Sequence, residues 1–116
     1  MSTVETGKHA EQCAVEFLVK LNFTILAVNF RCLYGEIDII ALHENRIHFI
    51  EVKTIAGAGK ESLAVTVNKQ KQKRISESAQ FFMQVHREYN NCHAQFDVVT
   101  VADTIELIEQ AFLEYS

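Results

Sequence analysis

Proline is absent from all 116 residues, and no run of 18 or more apolar residues occurs. The first absence leaves no proline-rich linker, and the second excludes a transmembrane helix of ordinary length. Cysteine is scarce: Cys13, Cys32 and Cys92 form an odd, widely spaced set. Such a set fits neither a disulfide framework nor a paired-cysteine metal knuckle. The first residues are polar and lack the apolar centre of a secretory leader, so a cytoplasmic protein is expected. Surplus positive charge is also missing. The net charge is -4, which gives no general support for nucleic-acid binding.

The sequence does have an ordinary globular balance, 48% apolar and 22% charged. A single domain over residues 1–116, with one core, is expected. The charge is uneven within it. Residues 53–74 hold six of the eleven basic side chains (Lys53, Lys60, Lys69, Lys71, Lys73 and Arg74) and one acid, Glu61. The rest of the chain carries five basic and fourteen acidic residues. A basic strip on an acidic body is either a solvated helix face or a local contact for phosphate.

The chain reads as alternating elements. Ala10, Cys13, Ala14, Phe17, Leu18 and Leu21 fall at helical spacing and predict a first helix with Cys13 in its buried stripe. Residues 23–30 (FTILAVNF) read as a strand. Residues 35–43 and 46–54 read as two more, joined at Glu44-Asn45 as a hairpin. A small-residue loop follows at 55–62, then a second helix from about 66 to 89. In that helix Ile75, Ala79, Phe82, Val85, His86 and Tyr89 lie near one face. Residues 95–101 make a fourth strand, and 104–112 is either an edge strand or a helical turn. The order α-β-β-β-α-β-(β) predicts an α/β fold with a mixed sheet flanked by helices.

The hairpin carries the chemistry. With Glu44-Asn45 as the loop, Asp38 falls opposite Glu51 and Glu36 opposite Lys53. All four then share one face with Ile40, Leu42, Ile47 and Phe49. The other face carries Ile37, Ile39, Ala41, His48, Ile50 and Val52, so both faces are largely apolar, as in a sheet covered on both sides. Three carboxylates and one lysine at the end of such a face are unfavourable unless compensated. Two compensations are open. Lys53 neutralises its neighbours in a salt-bridge network, or a divalent cation removes the surplus, for which oxygen ligands suit Mg²⁺ or Mn²⁺. Glu11 lies at the border of the first helix's apolar stripe and can lean toward the sheet.

These residues resemble a known pattern. Asp38 followed by Glu51-Val52-Lys53 is similar to the D…(D/E)xK core of the restriction-endonuclease-like nuclease superfamily. More closely, the chain resembles the YraN family of small bacterial proteins, themselves similar to archaeal Holliday-junction resolvases. The resemblance rests on Gly7-Lys8-His9-Ala10-Glu11, Asn29-Phe30-Arg31-Cys32, Gly35-Glu36-Ile37-Asp38, Phe49-Ile50-Glu51-Val52-Lys53-Thr54, Ala64-Val65-Thr66 with Lys69, and Phe96-Asp97-Val98-Val99. Ile37 stands where the superfamily has proline, and Ile55 where many relatives have a basic residue.

The resemblance implies a restriction-endonuclease-like fold and a Mg²⁺- or Mn²⁺-dependent nuclease acting on DNA, including branched or junction DNA. Asp38, Glu51, the Val52 carbonyl and Glu11 would hold the metal. Lys53 would sit beside the attacking water, and Glu36 would support the site. The alternative is a non-catalytic nucleic-acid-binding or assembly domain that keeps the fold, and a plain interaction protein is a third reading. Substrate contact is expected from Lys69, Lys71, Lys73 and Arg74, which open the second helix, with Arg31 before the hairpin. Gln72 and Lys71 are expected to reach closest to the metal site. Resolvase-like dimers leave a homodimer open, and no membrane partner is expected.

The remaining features are bland. Gly59-Lys60 precedes Glu61, which excludes a phosphate-binding P-loop. Cys92-His93 has no second pair for zinc. Asp97 reads as structural, capping backbone or pairing with a base such as Arg74.

Overall fold

The computed structural model describes residues 3–54 and 67–112. The loop expected at 55–62, the block at 64–66 and Lys60 lie outside the described residues. The elements run α1 (Thr3–Lys20), β1 (Thr24–Cys32), β2 (Gly35–His43), β3 (Arg46–Thr54), α2 (Lys69–Val85), a 3₁₀ turn (Arg87–Tyr89), β4 (His93–Val101) and β5 (Ile105–Phe112). The expected α/β order is found, and the segment left open at 104–112 is a strand.

The five strands lie in sequence order, β1-β2-β3-β4-β5. All neighbours are antiparallel except β3 and β4, which are parallel and joined across α2. A parallel pair needs such a long crossover, so α2 is placed on the sheet by topology. The β2–β3 turn is set by chemistry. Glu44 and Asn45 both have positive φ, 50° and 65°, as a two-residue type I′ turn requires.

The helices cover opposite faces. α1 buries Ala14 and Leu18 against Phe23, Ile39, Ala41, Ile50 and Val99. α2 buries Ile75, Ala79 and Phe82 against Ile40, Ile47, Phe49, Phe96 and Val98. α1 stops in a Schellman motif: the Phe23 N–H donates to the Leu18 carbonyl at 3.0 Å and the Asn22 N–H to Val19 at 2.9 Å, with Asn22 at φ 72°. Phe23 then folds back onto Leu18 in the same cluster.

Three expectations need correction. Leu21 is exposed because it lies beyond the helix end. Cys13 is only half-buried, at the stripe's edge, with Sγ 3.6 Å from His9 Nε2. Val85 is exposed because α2 ends there, and the chain turns through His86 into the 3₁₀ turn. Alternation also fails at one pair. Ile37 joins the α2-side cluster, against which its β1 partner Phe30 also packs. The positive φ of Asn29, 54°, marks a local distortion beside that pair.

Candidate active site where the hairpin ladder ends

The β2–β3 pairing runs from His43↔Arg46 to Ile39↔Ile50. The next expected pair, Asp38 with Glu51, does not form as a ladder pair. Instead Asp38 Oδ2 accepts the Val52 N–H at 2.8 Å. A side chain has taken a donor from the facing strand, so the sequence-based register holds up to Ile39 and is replaced there. β3 continues along β4 without a bulge, through Glu51↔Val98, Val52↔Val99 and Lys53↔Thr100. Glu51 and Lys53 therefore share a face, as period-2 alternation requires.

Past this break opens a cleft of about 410 Å³, lined by Gly35, Glu36, Asp38, Glu51, Asn68, Gln70, Lys71, Arg74 and Ile75. Asp38 and Glu51 meet there. Glu51 is 5% exposed. Burial first, then the Glu51 charge, pushes the Asp38 carboxyl up to about 7; a hydrogen bond with Glu51 and the charge of Glu11 add to this, and the Val52 N–H opposes it. Two acids that cannot comfortably both ionise are a recognised mark of functional sites.

α2 answers this charge. Asn68 caps it, its Oδ1 accepting the Lys71 N–H at 2.8 Å. The first turn has no acidic residue, which is contrary to the preference of a helix N-terminus. Lys69 and Lys71 stand there instead. Lys71 Nζ forms an ion pair with Glu51. Burial works against the ammonium, yet the hydrogen bond to Glu51 and the charges of Glu51, Asp38 and Glu36 outweigh it and hold the Lys71 pKa above its ordinary value.

The other expected residues are placed as follows. Glu36 lines the cleft and pairs with Arg31 at 2.8 Å. Lys69, Lys73 and Arg74 are exposed on α2, and Arg74 reaches the cleft wall. Lys53 and Glu11 are half-buried. Gln72 turns away to donate to the Val67 carbonyl, so of the two side chains expected nearest the carboxylates only Lys71 touches one. Sequence reading did not pick out Asn68, Gln70 or Gly35. Asn68 carried a signal as a capping residue before a helix. Gly35 has φ 151°, and a Cβ there would lie 3.3 Å from the Arg74 Cβ, so glycine lets α2 approach the strand.

Asp97 is buried elsewhere. Its Oδ2 lies 2.6 Å from His48 Nδ1. Its Oδ1 accepts from Gln95 Nε2 and from the Gln110 N–H, both at 2.9 Å. It caps backbone as expected, but its base is His48 rather than Arg74. Gln110 has φ 52° within a register shift between β4 and β5.

Comparison with known proteins adds a family. Residues 10–101 match the model of the uncharacterised protein family UPF0102. A UPF0102 protein of Caldicellulosiruptor saccharolyticus is 45% identical over 103 residues, covering 87% of this chain and 85% of its own. One from Treponema pallidum (strain Nichols) is 42% identical over 95 residues, covering 82% and 75%. One from Caldicellulosiruptor bescii is 37% identical over 119 aligned positions, covering 97% of this chain and 100% of its own. The chain belongs to the UPF0102 family, the YraN family that its sequence blocks resemble.

Proposed function

We propose that the protein is a Mg²⁺- or Mn²⁺-dependent nuclease of restriction-endonuclease-like fold that hydrolyses DNA phosphodiesters, with branched DNA among its substrates. The observation that carries this reading is the meeting of the Asp38 and Glu51 carboxyls at the foot of a cleft whose other wall is basic. Donor chemistry fits a hard cation, because two oxygen acids with surplus negative charge are what such an ion neutralises. Among the described residues no three His, Cys, Asp or Glu side chains are grouped as metal ligands. Mg²⁺ commonly takes one or two carboxylates and fills its shell with water and substrate phosphate. Asp38 and Glu51 would therefore hold it, with the Val52 carbonyl and Glu11 completing the shell.

When bound, the cation would polarise the phosphodiester and acidify the attacking water. Lys53, on the Glu51 face, orients that water and offsets charge at the scissile phosphate. Lys71 restrains Glu51 through their ion pair. An ammonium freed from that pair stays charged at neutral pH and would contact phosphate. Glu36 holds Arg31 at the rim. Lys69, Lys73 and Arg74 neutralise phosphates farther out.

The Glu51–Lys71 ion pair favours one other reading, a non-catalytic nucleic-acid-binding or assembly domain in which that pair is a permanent salt bridge. Incubation with branched, duplex and single-stranded DNA in Mg²⁺, Mn²⁺ or EDTA separates the two. The nuclease reading expects metal-dependent products that vanish in Asp38→Asn. Binding without products on every substrate gives the protein to the second reading.

A further inference from the structure

The β1–β2 turn consists of Leu33 and Tyr34. Turns of this length normally carry Gly, Asn or Asp, and nothing in folding asks for two large apolar residues here. Leu33 is 91% exposed and Tyr34 45% exposed. They are not isolated. Tyr34 faces Phe81 at 6.2 Å between ring centroids, Phe81 faces Phe30 at 6.4 Å, and Phe30 packs edge-on to buried Phe82 at 5.5 Å. This run of rings ties Tyr34 to the core and holds it as a fixed, half-open platform. Exposed apolar clusters of this kind mark contact sites.

The surroundings indicate what lands there. Arg31, 76% exposed at its side chain, lies two residues before the tip. Gly35 and Glu36, the next two residues after it, line the carboxylate cleft, and Arg74 packs against Gly35. At about 3.3 Å per strand residue, Tyr34 lies roughly 13 Å along β2 from Asp38, the length of about four stacked base steps. A flat apolar surface flanked by cations, and continuous with a phosphate-binding cleft, matches a nucleobase joined to its phosphate backbone.

We propose that the Leu33–Tyr34 tip stacks against an unpaired base of the bound nucleic acid, so that the protein prefers DNA with an open or branched segment beside the cleft. The inference rests on the cleft binding a nucleic-acid backbone. Leu33 wedges at the step where the duplex opens, and Tyr34 receives the freed base. Because every base has a π-face, the preference is for structure rather than sequence.

The test is made in EDTA, so that binding is read without cleavage. A forked DNA carrying 2-aminopurine at its first unpaired position is titrated with the protein, beside a blunt duplex of the same length. Fluorescence of the bound base is expected to be quenched by the parent and by Tyr34→Phe, and restored in Tyr34→Ala. Leu33→Ser combined with Tyr34→Ala is expected to weaken fork binding about tenfold and duplex binding less than about twofold. Lys69→Ala is expected to weaken both DNAs and leave the quench intact. An unchanged quench in Tyr34→Ala, with binding retained, overturns this inference alone, as does equal loss on both DNAs. A parent that binds neither DNA overturns it together with the cleft reading. Sedimentation that changes from dimer to monomer in the double variant, with the quench unchanged, assigns the patch to a contact between copies and overturns it as well.

Discussion

Two aspartates, Asp97 buried and Asp38 half-buried, sit in neighbouring parts of one sheet and live in opposite circumstances. Asp97 has a ring nitrogen, a side-chain amide and a backbone N–H on its two oxygens. Asp38 has one backbone N–H and a second carboxyl, Glu51, and it opens onto a cleft. A buried carboxyl whose acceptors are all used is part of the framework. One whose main neighbour is another acid is poised to exchange that neighbour's repulsion for a cation. The same residue type thus serves structure in one place and chemistry in the other, and the donors around it decide which.

The comparison breaks most sharply under substitution at the Asp38 side. Glu51→Gln and Lys53→Ala are expected to lower DNA cleavage at least about a hundredfold while changing affinity less than about threefold, because they act where charge develops rather than on the resting phosphates. A cleavage time course beside a gel-shift titration reads both. If Lys53→Ala cleaves like the parent, the nuclease lies elsewhere.

At the other aspartate the loss falls on folding. Asp97→Ala leaves His48 Nδ1 and the Gln110 N–H without their acceptor and Gln95 with only Glu109, and stability in urea is expected to drop by about 3 kcal/mol. Asp38→Asn is expected to do the reverse at neutral pH. The folded Asp38 carboxyl titrates at about 7 against an ordinary 3.8, so the folded state retains a proton that the unfolded chain has released. Its contribution to stability is therefore fully present below pH 4 and lost as pH rises to 7. The asparagine variant keeps an acceptor for the Val52 N–H and carries no charge. It should match the metal-free parent near pH 4 and exceed it by about 2 kcal/mol at pH 8. A constant difference across that range would show that Asp38 is not held up by Glu51 and burial.

The smallest effects belong to the rim. Lys69→Ala and Lys73→Ala are each expected to weaken DNA binding a few-fold on all sequences and to reduce the salt slope by about 1. Titrations at two salt concentrations suffice.

Much of this was legible in the chain itself. The I′ turn at Glu44-Asn45 fixed the hairpin register as far as Ile39↔Ile50. The helical spacing of Ala10, Ala14 and Leu18 gave the α1 face. Less legible was what side chains do to backbone. The ladder ends after Ile39 because Asp38 captures the Val52 N–H, and periodicity holds no information on that exchange. The register shift that carries Gln110 to Asp97 blurs alternation in β5, which is why 104–112 read two ways. The turn of Gln72 toward Val67 depends on where α2 begins, a boundary that spacing alone places only to within a few residues.

The central claim is that Asp38 and Glu51 together hold a divalent cation, and titration calorimetry of Mn²⁺ into the protein saturated with a short DNA tests it most directly. At pH 6 one Mn²⁺ is expected to bind with release of the proton that Asp38 retains, seen as heat that depends on the buffer. Both signals should be lost in Asp38→Asn, and binding should be lost in Glu51→Gln. Absence of Mn²⁺ binding by the DNA-loaded parent, or binding that survives unchanged in both variants, would contradict it.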